Sequence, residues 1–428
     1  MVNFLLVWLG QFVSVIGSRL TGFALGVWTY QHTHSVTQFA LIYLFTYLPG
    51  TLLSPIAGTL VDCYDRRKVM IASNCGSGLS SLVMAWLFFA GRLETWQIYL
   101  ALAVVSTCNI LLFSAYTAAI TLLVPKQHFS RASGLVQLAQ AASQILAPML
   151  AGMLVITIQV QGVLLIDCMT FLFALATLLY VRFPKPEGSS KSSVRKESLF
   201  QDMAIGWKYI ATRSGLLGLL LFFTIPYFTL GTLETLFTPM ILSFASTAQL
   251  GLILSIGGVG WLSGSLCISF WGGPKRRIYG VFTFVILQGL LLFLGALKPS
   301  IPIAATGIFG YLFAYPILLS CSQAIWQSKV PPNFQGRVFG VRYLIEHLPP
   351  PIAYLTVGIL ADYIFEPLFA SGGLLTSSVG QIIGVGPGRG IALMFILVGT
   401  INILATVAAY RYPRLRLVED ELPDMVGH

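Results

Sequence analysis

Asp62, Asp65, Arg66, Arg67 and Lys68 place two carboxylates and three cations within seven residues, with Gly58 one helical turn ahead. Long apolar runs flank this cluster on both sides. The chemistry open to it is the making and breaking of ion pairs at a tight polar turn. A half-buried charge pair stabilises a fold poorly, but breaking it is costly unless a new partner arrives, which suits a latch. Gly58 would let two helix backbones approach closely beside it. Other ionisable residues stand inside the apolar runs themselves: Arg19, Asp167, Glu234, Arg342 and Glu346. An unpaired guanidinium at mid-membrane costs at least about 2.5–3.5 kcal/mol, so Arg19 must face a cavity or find a partner. Gln11, Ser14, Ser18 and Thr21 give its helix a partly polar face. Arg342 and Glu346 are four apart and can pair along one helix face, a structural role. Asp167, near one end of its run, suits either proton exchange or a structural bond.

The elements that must carry these residues follow from composition. Apolar residues make up 56% of the 428 and charged residues 9%, against roughly 25% charged in a soluble domain. A span of about 20 residues crosses a hydrocarbon core of about 30 Å. Twelve such spans are expected, near 4–31, 37–61, 69–90, 96–123, 132–158, 161–182, 214–240, 247–271, 278–297, 301–327, 338–365 and 389–410. The fold class is an all-α polytopic membrane protein with two six-helix halves. Residues 1–183 form the first bundle and 184–213 a cytoplasmic linker, in which 197–213 reads as an amphipathic helix lying on the membrane face. Residues 214–411 form the second bundle and 412–428 a cytoplasmic tail. Glu234 lies in the seventh span, the counterpart of the first, and is the expected partner of Arg19 from the other half. The turn Gly272–Arg277 matches Asp62–Lys68 in position; it keeps the cations and lacks the carboxylates.

The net charge of +10 is explained by placement. With the N-terminus inside, all of the 25 Lys and Arg except Arg92, Lys298, Arg389 and the mid-span Arg19 fall on the cytoplasmic side. That bias puts both termini in the cytoplasm and assigns the basic charge to topology and anionic lipid, not to nucleic acid. None of the six cysteines falls in an external loop and none forms a Cys-x-x-Cys pair, which argues against disulfides and zinc. His32 and His34 lack a third donor for a metal. His347, beside Glu346, could respond to pH. No Gly-x-x-x-x-Gly-Lys-Ser/Thr loop argues for direct ATP drive, and neither a Gly-x-Ser-x-Gly elbow nor a His-Glu-x-x-His pair marks a hydrolase. The first apolar run is too long, and lacks the basic start, for a cleaved signal.

The pattern Gly58-x-x-x-Asp62, followed by Asp65-Arg66-Arg67-Lys68, resembles the signature loop between helices 2 and 3 of the major facilitator superfamily. Residues 9–31, Tyr47-Leu48-Pro49-Gly50, Ser54-Pro55-Ile56-Ala57-Gly58, Ile166-Asp167 and Gln335-Gly336-Arg337-Val338-Phe339-Gly340 resemble its macrolide-efflux and enterobactin-exporter branch. Cys63 and Asn74 depart from that family's usual Arg and Asp. The resemblance implies a secondary active transporter of the plasma (inner) membrane, not an enzyme. It would export a hydrophobic or amphipathic small molecule by alternating access, with protons as coupling ion and no cofactor. A monomer in the lipid bilayer is expected. Gly58, Asp62, Asp65, Arg66 and Arg67 would form the gating motif, and Arg19, Glu234, Asp167, Arg342 and Glu346 the cavity and coupling candidates. An uptake permease on the same fold, or a non-transporting sensor or scaffold, is the alternative reading.

Overall fold

The computed structural model describes residues 2–125, 128–181, 199–370 and 372–423. The linker charges Arg182, Lys185, Lys191, Arg195 and Lys196, and Lys126, lie outside the described residues. Among the described residues the regular structure is helical throughout. The first six long helices are α1 (Val2–Thr33), α2 (Val36–Cys63), α3 (Arg66–Phe89), α4 (Thr95–Leu123), α5 (Phe129–Thr157) and α6 (Gln159–Tyr180). After the short α7 (Leu199–Ala211) come α8 (Ser214–Leu242), α9 (Thr247–Trp271), α10 (Arg277–Ala296) and α11 (Ile301–Lys329). The eleventh span is broken into α12 (Pro332–His347), α13 (Pro349–Leu360), a π-helical turn (Ala361–Phe365) and α14 (Glu366–Phe369). The short α15 (Gly380–Ile383) precedes the last span, α16 (Arg389–Arg411), and α17 (Pro413–Arg416) and α18 (Val418–Glu421) follow it.

Twelve helical stretches are long and apolar enough to cross a membrane. Their lipid-length surfaces carry exposed large side chains such as Phe270, Tyr180 and Trp86, which a water-facing domain would bury. Span boundaries move by a few residues from the sequence expectation, and two shifts have physical causes. The third helix begins at Arg66 rather than 69, because Asp65 caps it: the Arg67 amide donates to Asp65 Oδ1 at 2.9 Å. The eleventh is not one straight helix, because Pro349, Pro350 and Pro351 cannot donate amides to the turn before them. The π-helical turn then places Asp362 within that span.

The chain divides into two compact units, residues 1–194 with 246–255, and 195–245 with 256–428. In unit 1, α1 packs on α5 and α6, α4 on α2 and α3, and α3 on α6. In unit 2, α8 packs on α13 and α16, and α10 on α11 and α16. A Cβ at Gly264 of α9 would collide with the Phe313 carbonyl of α11, so those backbones touch. Counted by span, the pairs 1–5, 1–6, 2–4, 3–4 and 3–6 recur as 7–11, 7–12, 8–10, 9–10 and 9–12. The same packing plan is thus built twice, as an internal repeat requires. Helix α7 ends at Ala211, short of the expected 213. It packs on α12 and α8, burying Ile210 and leaving Met203, Ile205 and Trp207 exposed.

Candidate functional site

The turn between α2 and α3 is built from its own residues. Gly58 and Asp62 lie in the last turns of α2, and the Asp62 side chain falls outside what the structure describes. Tyr64 ends the helix by donating its amide to the Leu60 carbonyl at 3.2 Å, and Asp65 starts the next. The two arginines then reach inward. Arg66 Nη1 donates to the Ala118 carbonyl of α4 at 2.8 Å. Arg67 donates from Nε to Leu178 O at 3.1 Å and from Nη2 to Leu179 O at 2.7 Å. Leu178 and Leu179 belong to the last turn of α6, whose carbonyls have no helical donor. A cation there also meets the negative end of the helix dipole. Lys68 is exposed. The arginines therefore bind the start of α3 to α4 and α6.

The matching turn of unit 2 borrows its acid. The cap residue of α10, Arg276, makes no side-chain cap bond, and the Ile278 amide donates instead to Glu419 Oε2 at 2.8 Å. Arg276 meets Asp420 at 3.4 Å. Lys329, at the end of α11 and only 4% exposed, donates to the carbonyls of Glu419 at 2.6 Å and Leu422 at 2.5 Å. Leu415 and Val418 of the tail are buried in the core of this unit.

The charges inside the spans each have neighbours in their own unit. Arg19 on α1 is exposed and donates from Nη2 to Gln140 Oε1 of α5 at 3.3 Å. Asp167 on α6 is 1% exposed, and its Oδ2 accepts from Ser81 Oγ of α3 at 2.9 Å. Glu234 on α8 accepts at Oε2 from the Tyr354 hydroxyl of α13 at 2.5 Å. Arg342 and Glu346 pair on α12 at 2.8 Å, both buried. Arg342 also donates to Gln323 Oε1 at 2.8 Å and Ser322 Oγ at 3.2 Å, both on α11. Its guanidinium lies 5.2 Å from the centre of the buried Trp326 ring. The pair is therefore part of a network tying α12 to α11. His347 stacks on Tyr343 with ring centres 3.8 Å apart.

Sequence reasoning missed Ser81, Gln140, Gln323, Tyr354 and Lys329. Four are ordinary polar residues at no special spacing, and their partners are distant in sequence. Lys329 read only as one more cytoplasmic charge; its burial arises from the tail folding back. Among the described residues no three His, Cys, Asp or Glu side chains gather as a metal site.

Two bundles built on one packing plan, with charges held inside bilayer-length helices, define a multi-pass membrane protein of two repeated halves. The sequence pattern of the Major Facilitator Superfamily matches residues 7–354, and the chain belongs to that superfamily. Its relatives include Macrolide efflux protein A of Streptococcus pyogenes, 26% identical over 369 residues, 85% of this chain and 90% of the relative. The enterobactin exporter EntS of Salmonella typhi is 26% identical over 348 residues, 78% of this chain and 80% of the exporter. Among solved structures, the nucleoside transporter NupG superposes with a TM-score of 0.72 at 12% identity, covering 96% of this chain and 100% of its own. A D-xylose-proton symporter does so at 0.69 and 13%, covering 99% and 98%. These likenesses show the fold. Members of the superfamily carry small-molecule substrates, generally with ion coupling, so the chain is a transporter and not an enzyme.

Proposed function

We propose that the protein exports a hydrophobic or amphipathic small molecule across the plasma (inner) membrane, by alternating access and against proton entry, with both termini cytoplasmic. The observation that carries this reading is the likeness to Macrolide efflux protein A along 85% of the chain. Placement of the charges supports it. Arg19 is an exposed guanidinium on a membrane-length helix, and charge tolerated there usually serves a pathway. Arg67 fastens the start of α3 to the end of α6. In this reading that makes the cytoplasmic end of unit 1 a rigid body, with Asp62 as its latch. Arg19 and Glu234 act on the pathway, while Arg342 and Glu346 brace α12.

Everted vesicles containing the full chain test the reading, with a radiolabelled macrolide and a catecholate siderophore as probes. Uptake into vesicles should follow an imposed pH gradient for at least one probe. Arg19→Gln, Glu234→Gln and Asp62→Asn should each reduce it about 10-fold or more, equivalent to about 1.4 kcal/mol, with normal amounts of inserted protein. Arg342→Gln should reduce it less. Full activity in all three variants would remove these residues from the pathway. Binding of a probe without flux would favour a sensor.

A further inference from the structure

Asp167 has a different setting from Arg19, Glu234, Arg342 and Glu346, the other span charges described above. Its Oδ2 accepts from Ser81, and its Oδ1 has no partner although the side chain is 1% exposed. Oδ1 points at the backbone of α1: a Cβ on Gly17 would stand 2.9 Å from it. Gly10, two turns earlier on the same face, meets Ala174 and Thr177 of α6 in the same way. The absence of side chains at these two positions lets α1 press on α6 and closes water out. The Thr21 hydroxyl, one turn beyond Gly17, and the Thr170 hydroxyl also face the carboxyl.

The charged and titratable groups around the carboxyl do not neutralise it. Helix α6 packs against α1, α3 and α5. On α1 the nearest cation is Arg19, two residues after Gly17, hence about 200° round the helix. It is bonded to Gln140 on α5. His32 of α1 is about 22 Å further along the helix from Gly17, and Lys68 of α3 about 20 Å from Ser81. Arg66 and Arg67 are bonded to carbonyls elsewhere. Cys75 of α3 is exposed, and Arg131 sits in the first turn of α5. Cys168 is its neighbour on α6.

An anion so placed is shut off from water, with hydroxyls around it and no cation beside it to balance its charge. A proton on the carboxyl removes the buried charge: the new O–H on Oδ1 donates to Thr21 Oγ1, and Oδ2 continues to accept from Ser81. A metal cation fits less well. Hard cations of this class take about six to eight oxygens, whereas here one carboxylate oxygen and one or two hydroxyls face the gap.

The geometry points to Asp167 as a proton-binding site of unit 1, buried at the seam of α1, α3 and α6 and separate from the Arg19 face of α1. Uptake turns the carboxylate into a neutral acid with its O–H on Oδ1; release returns the proton to water and leaves an anion that Arg19 can answer only if α1 turns. The protonation stands on this seam alone, and only its use in coupling rests on the proton-driven reading above.

Infrared difference spectroscopy of the full chain in lipid nanodiscs tests it without any transported molecule. On stepping from about pH 8 to about pH 5, a range that brackets a buried carboxyl's titration, the wild type should gain the carbonyl stretch of a neutral carboxylic acid that shifts in heavy water. Asp167→Asn, which keeps shape and donors, should remove that component, while Glu346→Gln should leave it. Ser81→Ala should move its frequency without abolishing it, because Oδ2 then loses its donor; this second variant serves if the first inserts poorly. Superimposable spectra for wild type and Asp167→Asn would overturn the proposal, as would loss of the component when sodium replaces choline in the buffer. Lack of macrolide or siderophore flux with the band present would instead count against the transport reading and leave the proton site standing.

Discussion

The turns that open α3 and α10 occupy the same place in the two repeats and are held by opposite means. Asp65 caps α3 from the adjacent position, and Arg66 and Arg67 then reach out to α4 and α6. The turn before α10 has no acid of its own. Glu419, 141 positions away, takes its amide, and Asp420 meets Arg276. A local cap forms as soon as the helix does. A borrowed one exists only after the tail has docked, and Lys329 holds the tail in place. Internal repeats thus conserve the need, a filled helix start at a cationic turn, while the supplier changes from neighbour to distant segment.

Removing the supplier should break the comparison most severely. Ending the chain at Tyr412 takes away the buried Leu415 and Val418, each worth about 1.5–3 kcal/mol, and removes the Glu419 and Leu422 carbonyls to which Lys329 donates. A loss on the order of 5 kcal/mol is expected for unit 2. It should appear as a lowered melting temperature in detergent and faster trypsin cleavage. An unchanged melt would mean that the tail only rests on the bundle.

Arg67→Ala should come next, since it leaves two end carbonyls of α6 without donors. Hydrogen bonds to charged groups are worth about 1.5–3 kcal/mol, so a loss of about 2–3 kcal/mol is expected, read by the same melts. Arg67→Lys should recover only part, because an ammonium lacks the fork that spans Leu178 and Leu179.

The two caps themselves give the sharpest version of the comparison. Asp65→Ala should cost about 1 kcal/mol, and Glu419→Gln about 0.3–1 kcal/mol through the lost charge at the helix start. If Glu419→Gln costs as little as a surface change while the truncation is severe, the tail works by burial and not by capping. Arg276→Ala should have the smallest effect. Its pair with Asp420 is half exposed, and whatever it contributes should vanish in high salt.

Much of the fold was legible because the bilayer reduces it to one-dimensional rules. Apolar length sets the spans, Lys and Arg placement sets the expected sides, and Pro349–Pro351 could have marked the break at His347 by the missing amides. Local chemistry was legible in part: Arg342 with Glu346 is a pair at helical spacing, whereas the cap at Asp65, which starts α3 at Arg66 and not at 69, became plain only in the structure. What could not be read were partners supplied by another helix. Nothing in the sequence says that Arg67 binds the Leu178 and Leu179 carbonyls, since every residue has a carbonyl and only packing decides which are left over. Nothing says that Glu419 completes the turn at Arg276, because the distance along the chain carries no signal. For Asp167 the sequence posed a choice between a structural carboxylate and one that exchanges protons. Only the tertiary contact could narrow that choice, because it takes Gly17, Ser81 and Thr21, on two other helices, to close water out and surround the carboxyl with hydroxyls and no cation.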